Sequence, residues 1–154
     1  MPHQYSTVIA IDPGKDKCGL AIVKCQGFSV HRVLDAVAEH GIVPRSEVVD
    51  AIRELFKRFP NSQIVIGHAT TSSVLRAELQ RVWPEDEIAV VDETGSTLEA
   101  RGLYWQANPP RGWRRLSPLS LQVPPLPIDD FAAMVLAARF LTSSTRTEEV
   151  KSQK

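Results

Sequence analysis

One stretch constrains this 154-residue chain more than any other: VIAIDPGKDKCGLAIV at positions 8–23. An apolar run, Val8-Ile9-Ala10-Ile11, ends on Asp12; Pro13-Gly14-Lys15-Asp16 is a turn signal; Gly19-Leu20-Ala21-Ile22-Val23 is a second apolar run. β-Branched residues suit a pleated, buried surface, proline presets φ, and glycine accepts φ > 0, so the stretch predicts a β-hairpin. The Asp12 carboxylate then stands where a buried strand meets a polar loop, a place suited to holding a cation or a phosphate. An aspartate before Pro-Gly also simply opens a turn, and these residues alone leave both readings standing.

A chain of this length buries about two thirds of its unfolded surface, enough for one domain on one core without staples. Hydrophobic content of 43% and charged content of 23% are those of an ordinary soluble globular chain, and no apolar run approaches the ~18 residues that suggest a membrane span. Positions 1–5 lack the basic start of a signal peptide, so a cytoplasmic protein with no membrane association is expected. Two cysteines, Cys18 and Cys25, form no CxxC and have no matching histidine spacing. A zinc site and a disulfide framework are therefore not indicated, and buried, inert thiols are expected. The formal net charge of zero says that the whole molecule does not act as a polycation. Its distribution is uneven, however: between Glu99 and Asp129 lie Arg101, Arg111, Arg114, Arg115, Trp105 and Trp113 and no acidic residue. That segment reads either as a basic, aromatic nucleic-acid surface or as a solvated loop.

After the hairpin, residues 28–34 predict a third strand, turned back antiparallel at Gln26-Gly27, and residues 40–44 break the pattern. Val48, Val49, Ile52, Leu55, Phe56 and Phe59 recur at helical spacing, predicting a helix over 46–59 with Ser46 as N-cap. QIVIG at 63–67 reads as a strand buried on both faces, as in a parallel sheet. Threonines and serines at 70–73 introduce a helix over 73–82, stopped by Trp83-Pro84. A buried strand at 87–91 ends on Asp92-Glu93, and Ser96 with Glu99 predicts a capping box opening a helix over 96–106. Residues 108–127 hold six of the eleven prolines and predict a long irregular segment, functional or mobile. An amphipathic helix follows over 129–141 through Phe131, Val135, Ala138 and Leu141, and 142–154 reads as a disordered polar tail. No internal repeat or interdomain linker is visible. The order β-β-β-α-β-α-β-α-α describes an α/β protein in which an antiparallel meander joins two βα units.

Strand ends in one sheet are neighbours, and a helix N-terminus packed on that sheet can bring its side chains to the same edge. Asp12, Glu93 and Asp129 could therefore converge. Carboxylates so placed repel one another unless a divalent cation neutralises them, and oxygen donors without imidazole or thiolate select Mg²⁺ or Mn²⁺ rather than zinc. The chemistry that uses such a cluster is phosphoryl transfer to water, with two ions ~4 Å apart. Nucleic-acid phosphodiester hydrolysis fits the neighbouring basic, tryptophan-bearing segment.

Three blocks carry a family resemblance. IDPGKDKCGLAIV at 11–23, VDETGSTLEAR at 91–101 and IDDFAAMVLAARFL at 128–141 resemble the first-strand, fourth-strand and final-helix blocks of the RuvC-like nucleases of the RNase H-like superfamily, and within them of the YqgF-type proteins. The resemblance implies an RNase H-like fold: a mixed five-stranded sheet, three antiparallel strands then parallel βα units, with flanking helices, as one domain over residues 1–141. It places the family's first-strand Asp on Asp12, its strand-end Glu on Glu93 and its helix Asp on Asp129, with the adjacent Asp130 competing for the third position as a metal ligand. Strand alternation points Asp92 away from Glu93. Thr94 stands where the best-known members have Arg, and the segment with Trp105, Trp113 and the prolines is unlike the short loop usual there.

The activity implied is that of a nuclease dependent on Mg²⁺ or Mn²⁺, acting on structured nucleic acid. Members either mature the 5′ end of 16S ribosomal RNA precursors, towards which the YqgF type leans, or act as candidate Holliday-junction resolvases on branched DNA. RuvC-type resolvases work as dimers, and this sequence leaves monomer and homodimer open. Lys15 and Lys17 flank the first carboxylate and are candidate phosphate contacts, as are Arg111, Arg114 and Arg115, with Trp113 as a base-stacking platform. Hydrated loop lysines and Trp105 packed under the loop are the plainer readings. His68 after the fourth strand either orients a water or a phosphate or is structural. Two rival classes remain. An actin-like ATPase also uses an Asp-x-Gly turn but needs two such domains, and a non-catalytic nucleic-acid-binding module would have to keep three mutually repelling carboxylates.

Overall fold

Strand β1 (Thr7–Asp12) is the centre of a five-stranded sheet ordered β3-β2-β1-β4-β5. The computed structural model describes residues 4–70, 72–118 and 122–153; the side chains of Arg114 and Glu148 also fall outside what is described. β2 (Lys17–Lys24) returns antiparallel to β1 with Asp12 opposite Gly19, and β3 (Val37–Pro44) runs antiparallel to β2. β4 (Ser62–Gly67) and β5 (Ile88–Val91) add on the other side, both parallel. This is the mixed α/β sheet expected from the sequence.

Alternation sorts the strand side chains between two helical layers. Ile9, Ile11, Leu20, Ile22, Ile64 and Ile66 pack under α2 (Val48–Arg58) and α3 (Ser72–Gln80). Val8, Ala10, Ala21, Val23 and Val65 face α4 (Ser96–Ala107) and α5 (Asp129–Ser152). Small residues stand on both partners within the second layer, which includes Ala10 and Ala21 of the sheet and Ala132, Ala133 and Ala137 of α5. That helix therefore lies close on the sheet, and its first turn reaches the edge where β1 ends.

The expected third strand is displaced. Gly27 turns the chain at φ 78°, and the segment after it forms a 3₁₀ turn (Val30–Arg32) and a four-residue helix, α1 (Val33–Ala36), before β3 begins. Val33 and Ala36 are buried and Phe28 and Leu34 pack on the core, so these apolar residues fill the layer as a helical turn. β3 is an edge strand with mostly half-buried side chains, which dilutes its alternation. Neither helix cap is as expected. α2 follows a 3₁₀ turn (Arg45–Glu47), and no side chain caps it. α4 is preceded by Gly95 at φ 74°, and Ser96 is buried in its first turn. Gly14 does not take positive φ; a Cβ there would overlap the Lys17 carbonyl, so close approach of the hairpin backbone is what demands glycine.

α5 continues to Ser152, through the segment expected to be a disordered tail. The hydroxyls of Thr142, Ser144, Thr145 and Thr147 each donate to the carbonyl four residues back, so the polar residues are absorbed by the helix rather than ending it. Both cysteines are buried and unpaired, and burial pushes the Cys25 thiol up to about 11. Among the described residues no helix is long and apolar enough to cross a membrane.

Candidate functional site

Two glycines flank Asp12 in the sheet and make room beside it. Gly19 lies opposite Asp12 on β2, and Gly67 ends β4 one step beyond the Ile11–Ile66 pair. A Cβ on Gly19 would overlap the backbone of Asp129 and Asp130, and one on Gly67 would overlap the carboxylate of Glu93. The two positions thus admit the first turn of α5 on one side of Asp12 and the Glu93 side chain on the other. All three carboxylates lie on the α5 side of the sheet, where β1 and β4 end.

Each flanking carboxylate has its own support. Glu93 sits in the loop after β5, in which Asp92 accepts hydrogen bonds from the Thr94 amide at 3.1 Å and its hydroxyl at 2.8 Å. Arg139 of α5 holds that loop by donating to the Asp92 and Thr94 carbonyls, each at 2.8 Å, and to Glu99 at 2.9 Å. This is the use made of Glu99 in place of a capping box. At the start of α5, Asp130 is buried and turned to His40 of β3, whose Nδ1 lies 2.7 Å from its Oδ2, while its Oδ1 accepts from the Phe131 amide at 3.1 Å. Phe131 meets the His40 ring at 5.4 Å. Asp129 is the one left facing the edge, where Lys17 reaches it at 3.4 Å.

The electrostatics follow. Burial, then the negative charges of Asp129 and Glu93, push Asp12 from 3.8 to about 7. Burial also raises Glu93, against the pull of His68 and with the push of Asp92, whereas Asp92 itself is held low by its bonds to Thr94. His68 is exposed and continues the parallel ladder, its amide donating to the Val91 carbonyl at 2.9 Å.

The donor set suits a hard divalent cation: carboxylates alone, mutually repelling, one of them driven towards protonation by burial and then by the others. As the side chains stand, no group of three or more His, Cys, Asp or Glu among the described residues is gathered closely enough to ligate one ion. Ligation through Asp129 would require Lys17 to give it up.

The expected nucleic-acid contacts divide. Lys15 is exposed in the hairpin loop and Lys17 adjoins the carboxylates. Arg111, Trp113 and Arg115 are exposed around a 3₁₀ turn (Gly112–Leu116) beyond the far end of α4, a helix about 18 Å long; Arg115 Nε donates to the Pro110 carbonyl at 3.3 Å. The side chain of Arg114 lies outside the described residues. Arg101, which the sequence marked only as part of a basic segment, instead lines a cleft with Lys17 and Asp129. His40, Arg139, Gly19 and Gly67 were not singled out either, since each acts on a residue distant in sequence. The one local clue was the helical i,i+4 spacing of Thr97 and Arg101, which share that cleft.

Comparison with solved structures gives RuvC of Thermus thermophilus in complex with a Holliday junction substrate, at a TM-score of 0.53 and 17% identity, over 92% of this chain and 96% of that one. The chain has the RuvC fold. A second structure of Thermus thermophilus RuvC superposes at a TM-score of 0.51 and 15% identity, covering 92% and 97% of the two chains. This agrees with the RuvC-like, RNase H-like architecture read from the three sequence blocks. A scan of protein-family models and a search of curated proteins each return no match.

Proposed function

We propose that the protein is a metal-dependent endonuclease that hydrolyses phosphodiester bonds in structured nucleic acid. The observation that carries this reading is the row Gly19–Asp12–Gly67, in which two glycines bring Asp129 and Glu93 to either side of a buried carboxylate. Asp12, Glu93 and Asp129 would hold Mg²⁺ or Mn²⁺, which when bound supplies charge neutralisation and an activated water for displacement at phosphorus. The chain's own residues do the rest. Asp12, with a pKa near 7, exchanges a proton at its carboxylate in neutral solution and is ready to give it up to a cation. Lys17 provides the positive charge that Asp129 lacks in the metal-free protein and is placed to meet a phosphate. His40 and Arg139 keep Asp129 and the Glu93 loop in position.

For the substrate, the sequence blocks favour precursors of 16S ribosomal RNA. The Thermus thermophilus RuvC complex, which holds a Holliday junction, supports four-way DNA as the second reading. The test offers labelled precursor rRNA fragments, four-way DNA junctions and single strands side by side with Mg²⁺ and with Mn²⁺. Metal-dependent cleavage of a structured substrate, lost in Asp12→Asn, is expected. No cleavage of any substrate, or cleavage that survives Asp12→Asn, overturns the reading.

A further inference from the structure

The proline-rich segment has no part in the carboxylate row, yet its last stretch runs up against it. Trp105 of α4 donates through Nε1 to the Gln122 carbonyl at 3.4 Å. From there residues 123–128 return along α4 and, with Thr97, Arg101, Lys17 and Asp129, line a cleft of about 280 Å³. Its walls differ in kind. The strap reads Val-Pro-Pro-Leu-Pro at 123–127; the prolines have no N–H to donate and stiffen the chain, which bends at 125–126 and joins neither ladder nor helix. Val123 and Leu126 are left 69% and 65% exposed. The opposite wall carries Arg101 and Thr97 with Lys17, whose ammonium lies 3.4 Å from the Asp129 carboxylate.

Asp129 belongs both to this cleft and to the carboxylate row, so the cleft opens directly from the place where a scissile phosphate would lie. A polynucleotide held at that phosphate extends to either side of it, and in this direction it meets an apolar wall and two cations. An unpaired nucleotide presents the matching surfaces, a base with an apolar face and an anionic phosphate. At about 280 Å³ the cleft lies just below the ~300–1,000 Å³ typical of ligand sites, which suits one nucleotide and not a base pair. We infer that the cleft between the 123–128 strap and α4 holds one unpaired nucleotide flanking the scissile phosphate, its base or sugar on Val123 and Leu126 and its phosphate on Arg101 and Lys17. The inference rests on the nuclease reading of the carboxylate row, and it makes the enzyme selective for sites where a strand leaves a duplex.

The test measures binding rather than cleavage, in the full-length Asp12→Asn background with Mg²⁺. Fluorescein-labelled probes are a continuous duplex, a four-way junction, and duplexes with a single-stranded DNA or RNA flap, the two flaps distinguishing the sugar accepted. Adding Leu126→Ser or Arg101→Ala is expected to weaken binding of the flap of the accepted sugar about tenfold while leaving the continuous duplex within about twofold. Both side chains can be changed without opening the core, so circular dichroism should be unaltered. Flap binding unchanged in both variants, or flap and duplex weakened alike, overturns the inference and leaves the nuclease reading intact. Failure of both the Asp12→Asn protein and the metal-free wild type to bind any probe overturns both.

Discussion

The two faces of the sheet are made from the same strands and used for opposite ends. On the α2/α3 side, β1, β2 and β4 present Ile9, Ile11, Ile22, Ile64 and Ile66, all essentially sealed from water. On the α5 side the same strands present Val8, Val23 and Val65 together with the smaller Ala10, Gly19, Ala21 and Gly67 and with Asp12. Large branched side chains fill space and stabilise; small ones let a helix and a loop come close enough to place charge beside charge. Both faces remove apolar surface from water, but only the α5 face also concentrates carboxylates, at the edge where β1 and β4 end. The strand period of two thus confines the chemistry to one face, and substitutions of its small and acidic residues should differ in kind from those of the isoleucines.

The largest effect is expected on the isoleucine face. Ile64→Ala should cost about 2–5 kcal/mol of stability in denaturant unfolding while leaving turnover per folded molecule near the wild-type value; a comparable loss of turnover in the folded fraction would break the separation. The carboxylate face should show the reverse. Asp12 has a folded pKa raised from 3.8 to about 7, so the folded state holds its proton more tightly than the unfolded chain. The resulting stabilisation is fully present below about pH 4 and is lost as pH rises through 7. In metal-free buffer the wild type should therefore lose about 1–3 kcal/mol relative to Asp12→Asn between pH 5 and 8, a figure discounted for partial solvent exposure. Parallel stability curves for the two proteins would contradict this.

Gly67→Ala puts a methyl group where the Glu93 carboxylate lies. Turnover should fall roughly 10–100-fold with little change in melting temperature, and a fall in stability alone would move Gly67 to the structural side of the comparison. The smallest effect is expected at His40. Its hydrogen bond to Asp130 fixes the first turn of α5, so His40→Ala should weaken Mn²⁺ binding by about 3–10-fold, while His40→Asn, which keeps a donor, should recover part of it. Unchanged Mn²⁺ affinity in the alanine variant would show that Asp129 needs no such anchor.

The carboxylates were legible in the sequence because two apolar runs end abruptly on Asp12 and on Asp92-Glu93, although the second, expected to be buried, is the edge strand β5 with Val90 exposed, and because a strongly patterned helix opens on Asp129-Asp130. What holds them was not legible. The His40–Asp130 bond spans 90 positions, and the roles of Gly19 and Gly67 depend on which backbone or side chain lies above them, which no local pattern encodes. β3 was misplaced because an edge strand that is half wet on both sides carries little alternation, whereas the apolar residues before it satisfy helical and strand spacing alike. The end of α5 was missed for a similar reason: hydroxyl side chains that bond back along a helix look, in composition, like a loop. For Asp129 and Asp130, adjacency in sequence left the choice open, and burial distinguishes them, one turned to His40 and the other to Lys17 and Asp12.

The central claim is that the glycine-flanked row assembles a cation site from Asp12, Glu93 and Asp129. Calorimetric titration of Mn²⁺ into the metal-free wild type and Asp12→Asn proteins at pH 7.5 tests it without reference to any substrate. Saturable binding by the wild type, weakened at least tenfold in Asp12→Asn, is the predicted result. No binding by the wild type, or equal binding by the two proteins, would contradict it.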